Sequence, residues 1–142
     1  MVSTAQSAAA TQNPSEQLLL FSGLMLMANA DGVVDQRGLA ALEAFCKTVP
    51  ALAARDFDEL LREACKLQAR YETLLDSVQA LDKLDSPAAR VKLFVLAVDL
   101  AMSTGELDPH EQALLESVAK TLRINEETAV KTVSVLSLKY RR

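Results

Sequence analysis

Tryptophan is absent from this chain, and Phe and Tyr together make up only 4% of it. Its core must therefore be built from small and aliphatic side chains, which suits closely packed helices. Four Gly and four Pro are too few to punctuate the many turns of a sandwich or barrel. The two cysteines, Cys46 and Cys65, make no disulfide framework. With no CxxC pair and a single histidine, His110, a Cys/His zinc site is not expected. The same shortage removes Ser-His-Asp and Cys-His catalytic sets, because one histidine would have to serve alone. Phosphate-cradling glycine motifs are missing, as are the Glu-x-x-His elements of di-iron bundles. These absences predict a protein that is not an enzyme.

The charge balance excludes more. A net charge of −4 opposes general nucleic-acid binding, which needs a basic face to displace counterions. Only the tail Lys139-Tyr140-Arg141-Arg142 is locally basic. The longest apolar runs, 18–30 and 91–102, fall short of the roughly 18–20 residues of a membrane span. Residues 1–13 are rich in Ala, Ser, Thr and Gln and lack the basic and apolar regions of a secretory signal. The expectation is a cytoplasmic protein with a disordered segment at 1–13 and one helical domain at 14–142.

What the chain does have is helical periodicity. In 142 residues, half of them hydrophobic, a real core can be buried in one domain. Asn13-Pro14-Ser15-Glu16 reads as cap, first-turn proline and capping-box acid of a nearly all-apolar helix running to about Asn29. Asp35 caps a second helix with a stripe of Leu39, Leu42, Phe45, Cys46 and Val49, ended by Pro50. Residues 56–84 space their apolar positions as one long helix. Ser86-Pro87 launches another, Asp108-Pro109-His110-Glu111 a further one, and Asn125 the last. The fold class is all-α, with about six to seven helices.

A second pattern is superimposed. ADGVVDQRG at 30–38 returns in altered form as STGELDPHE at 103–111, with Gly32 and Gly105 separated by 73 residues. The offset also pairs Leu20 with Leu93, Phe21 with Phe94, Leu42 with Leu115 and Lys47 with Lys120. This predicts an internal duplication: two helical hairpins about a pseudo-twofold, each carrying an acidic glycine turn.

Carboxylates around a glycine suit a hard cation, since the backbone can bend to add carbonyl oxygens. The first turn offers Asp31 and Asp35, the second Glu106, Asp108 and Glu111. Asp99, an acid on an otherwise buriable helix, is a further candidate ligand. The plainer reading makes Asp35 and Asp108 N-caps and Glu111 the partner of a capping box, and puts Asp99 on the solvent edge or makes it the acceptor of a neighbouring basic residue. Neither turn matches an EF-hand loop, whose later ligand positions would fall near Leu39/Leu42 and Gln112/Leu115.

ADGVVDQRGLAALEAF at 30–45 and STGELDPHEQALLESV at 103–118, each after an apolar helix, resemble the TerB-like family of tellurite-resistance proteins. The resemblance covers roughly residues 15–124. It implies a duplicated, non-catalytic helical domain, associated with tellurium-compound resistance and stress responses, with an acidic surface for metal ions. The matching positions are Asp31, Gly32 and Asp35 in one copy and Gly105, Asp108 and Glu111 in the other. Gly38 stands where the first copy would carry the glutamate found as Glu111, and Thr104 where the second would carry the acid found as Asp31. One composite site, or none, therefore fits better than two.

Two functions follow as expectations. The first is a module binding a divalent cation (Ca, Mg, Mn or Zn) or a basic partner through the acidic turns. The second is a helical adaptor or co-chaperone-like scaffold without a metal role. Here the apolar stretch 126–138 would take a protein partner or a second copy of the chain.

Overall fold

The computed structural model describes residues 14–30 and 35–141. Among the described residues the regular structure is eight α-helices and one 3₁₀ turn, with no strand. They are α1 (Glu16–Ala28), α2 (Gln36–Cys46), α3 (Pro50–Ala53), α4 (Phe57–Gln68), α5 (Leu74–Gln79), the 3₁₀ turn Ala80–Lys83, α6 (Pro87–Ser103), α7 (Pro109–Thr121) and α8 (Glu126–Lys139). The expected disordered segment 1–13 and the first-turn residues 31–34 lie outside the described residues.

Two helices hold the centre. Every residue of α1 from Leu19 to Met27 except Ser22 is buried, as its nearly continuous apolar sequence requires. It packs along α6 and is ringed by α4, α2, α3, α7 and the 3₁₀ turn. Helix α6 buries Leu93, Phe94, Ala97, Val98, Leu100 and Ala101 and is flanked on its far side by α7 and α8. An edge-on pair of rings, Phe21 and Phe57 at 5.6 Å, joins α1 to the start of α4. The scarcity of aromatics is thus met by Leu, Ala and Met.

Arginines tie the outer elements down. Arg90 donates to the backbone oxygens of Leu84 (2.7 Å), Asp82 (2.6 Å) and Thr121 (3.3 Å) and to the Asp82 carboxylate. It thereby anchors the 3₁₀ turn and the end of α7 to α6. The same contact holds the Asp82 carboxyl below its ordinary pKa. Arg55 bridges Gln17 on α1 to Glu59 and Glu63 on α4.

Three expectations need correction. The helix-one cap is Ser15, whose hydroxyl accepts from Leu18 N at 3.1 Å, so Pro14 precedes the helix. Pro50 does not end α2, which already stops at Cys46; it occupies the first turn of α3, where its missing N–H is harmless. The long helix at 56–84 is interrupted at 69–73, because the Thr73 hydroxyl captures Asp76 N at 3.0 Å and starts α5 afresh. These interruptions raise the helix number above the six or seven expected.

Candidate functional site

Of the first acidic turn, Asp35 is described and Asp31 is not. Asp35 is the exposed N-cap of α2, and its Oδ1 accepts Gly38 N at 2.7 Å. The second turn makes the same bond at the corresponding position: Asp108 Oδ1 accepts Glu111 N at 2.7 Å. Glu111 Oε1 in turn accepts Asp108 N at 3.1 Å, closing the capping box. Gly38 cannot supply that return bond. A Cβ there would meet Ala28 O at 3.3 Å and Asp35 Oδ1 at 3.2 Å, so glycine lets α2 lie close against the end of α1.

Gly105 is required for a different reason. Its φ is +142° with nothing near the place of a Cβ, so backbone conformation alone selects glycine. Upstream, the hydroxyls of Ser103 and Thr104 donate to Leu100 O and Ala101 O. They satisfy the last carbonyls of α6. Glu106 then projects from the turn as an exposed acid.

The residue before the first turn lies near the end of the second. Ala30, the last described residue before the first turn, lines a surface cleft with Pro109, His110 and Ala113 at the start of α7 and Leu74 and Leu75 of α5. On its other side the second turn opens onto α8, where Gly105, Glu106 and Leu107 share a cleft with Val133, Tyr140 and Arg141.

Asp99, offered as a further ligand, faces α8 instead. Its carboxylate accepts both the Lys139 ammonium, at 3.1 and 3.2 Å, and the Tyr140 hydroxyl. Only 16% of the Asp99 side chain is exposed, so the charge is compensated as a sheltered carboxylate demands. Tyr140 is pushed above its ordinary pKa by burial and then by the Asp99 carboxylate, and Lys139 is raised by its bond to Asp99. The basic tail and the isolated acid were the two sequence signals for this latch; their pairing is spatial.

As a cation site, the described residues fall short. No group of three or more His, Cys, Asp or Glu side chains among them could hold a metal ion. Asp35, Asp108 and Glu111 are engaged at helix starts and Asp99 by α8. Helix N-termini also carry positive partial charge, which opposes a cation there. Full coordination by these residues does not fit; a hydrated ion held loosely by the acidic surface is the most they could provide.

The family model described as Tellurite resistance protein TerB matches residues 17–132. The chain belongs to the TerB family. No curated protein and no solved structure matches it. The TerB match begins in α1, takes in both glycine turns and runs into α8. The Asp99 partners Lys139 and Tyr140 lie beyond its end. Among the described residues of this TerB protein, no helix is long and apolar enough to cross a membrane.

Proposed function

We propose that this TerB protein is a non-catalytic, cytoplasmic binding module of tellurite-resistance and stress-response systems, drawing cations to the surface formed by its two acidic turns. The observation that carries the reading is the shared cleft of Ala30 with Pro109 and His110. The cleft brings Ala30, the last described residue before the first turn, close to the helix capped by Asp108, which supports a shared negative surface. The ligand is a divalent ion (Ca, Mg, Mn or Zn) kept largely hydrated, or the cationic groups of a basic partner. With carboxylates already serving as caps, affinity for a bare ion falls at about 10⁻⁴–10⁻³ M, the weak end of oxygen-ligand sites. Calorimetric titration with each ion decides the metal version. Saturable heat in the millimolar range supports it; no heat above dilution for any of the four removes it.

A second reading rests on a separate observation. Helix α8 exposes Val130, Val133, Val135 and Leu138, as a helical adaptor would. Replacing Val130 and Leu138 together by Asp should leave stability within about 0.5 kcal/mol, as for ordinary surface changes. A loss several times larger would assign this face to the core and end the adaptor reading.

A further inference from the structure

The cleft between the Gly105 turn and the end of α8 carries both signs of charge. Glu106 stands on the turn, and Arg141 follows the last residue of α8. Both are exposed, and neither makes a salt bridge among the described residues. They line one cleft without lying at ion-pair distance from each other, so neither charge cancels the other. The same cleft is lined by apolar groups: Met102 is buried at the end of α6, Leu107 is half-buried, and Val133 of α8 is 38% exposed. The Tyr140 hydroxyl is committed to Asp99, which leaves its ring for the cleft.

Its volume is about 530 Å³, within the roughly 300–1,000 Å³ of small-molecule sites. The charges select among ligands. A cation drawn into this cleft by Glu106 meets the Arg141 guanidinium, and an anion drawn in by Arg141 meets the Glu106 carboxylate. A wholly apolar molecule strips water from both charges and replaces it with nothing. A small zwitterion satisfies both, setting its ammonium on Glu106 and its carboxylate in the two-pronged grip that arginine offers. An aliphatic side chain on that zwitterion would cover Met102, Leu107 and Val133.

We propose that this cleft binds a free α-amino acid with an aliphatic side chain, held through Glu106 and Arg141. The proposal goes beyond both readings above: it needs no metal ion and no protein partner on the outward face of α8. Both charges are exposed and therefore screened by water and salt. Binding is accordingly weak, with a Kd of the order of 1 mM.

Leucine titrated into the full chain to about 50 mM, well above that Kd and with divalent ions chelated, tests it by NMR. Two control compounds keep the branched chain: isoamylamine lacks the carboxylate, and isocaproate lacks the ammonium. With leucine, amide signals of Gly105, Glu106 and Leu107 should shift together with those of Ser137, Tyr140 and Arg141, and saturate. Each control should bind at least about threefold more weakly. R141Q should erase the advantage of leucine over isoamylamine, and E106Q its advantage over isocaproate. Helicity should be unchanged in both variants, because both side chains are exposed. The absence of a saturable shift with leucine overturns the proposal. So does a control that binds as tightly as leucine, or a pair of variants that bind all three compounds as the wild type does. Such a failure leaves the cation reading to its own calorimetric titration, which contains no amino acid.

Discussion

Gly23 of α1 lies directly against Leu93 of α6: a Cβ on Gly23 would come within 2.8 and 2.9 Å of the two Leu93 methyl carbons. Leu93 is fully buried and has little room to withdraw. The two central helices therefore approach across a position where even a methyl group is too large.

Gly23→Ala sets two effects against each other. Alanine improves helix propensity by about 0.5–1 kcal/mol, while overpacking a tight core costs about 1–3 kcal/mol. The clash should win, with a net loss of about 1 kcal/mol in denaturant unfolding. In a Leu93→Ala background the same change should become neutral or stabilising, because the obstructing methyls are gone. Equal effects in both backgrounds would contradict the close approach.

The Asp99 latch makes a pH-dependent prediction. Tyr140 and Lys139 both have folded pKa values above their ordinary 10.0 and 10.5. Their contribution is complete below those ordinary values and disappears as pH rises through the raised ones. Tyr140→Phe should cost about 0.5–1.5 kcal/mol near neutral pH, the usual size of one hydrogen bond. The difference from wild type should shrink above about pH 10, as the tyrosine ionises. Hydrogen exchange should show the loss concentrated in the last turns of α8. A pH-independent difference would refute the latch.

Much of the helical plan was legible because helix starts carry local chemistry. Asp35, Ser86, Asp108 and Asn125 each cap the helix that their sequence context indicates. The break at 69–73 carries no Gly or Pro and depends on one threonine hydroxyl, a weaker signal than the apolar periodicity running through it. The acids were harder to interpret. A capping carboxylate and a ligand carboxylate have the same sequence, and only the hydrogen bonds of Asp35, Asp108 and Glu111 distinguish them. Asp99 was recognisable as needing a partner, yet its partners lie some 40 residues away, beyond any local pattern.

The two thiols should differ sharply. Cys65 is exposed, whereas Cys46 is buried, and burial, with help from Glu43, pushes the Cys46 thiol up to about 11. Since the thiolate is the reactive form, a disulfide reagent at pH 8 should titrate one cysteine quickly in the native chain. Cys46 should react only on unfolding, and C65S should abolish the fast phase. Two equivalents at one rate would place Cys46 at the surface.

Arg123 follows α7 with φ +58°, a left-handed conformation normally given to glycine at helix ends. Its ion pair to Asp82, at 3.8 Å, is long and exposed, so it offsets little of that strain. Arg123→Gly should raise stability by up to about 1 kcal/mol in thermal unfolding. A clear loss would mean that the side chain holds the turn.

Mn²⁺ tests most directly whether the two acidic turns act as one cation-attracting surface. Paramagnetic broadening of amide signals should appear together at Asp35 and neighbouring residues of α2 and at Glu106–Glu111. It should grow over the millimolar range and be displaced by excess Mg²⁺. Broadening at neither turn, or at one turn alone, would contradict the account.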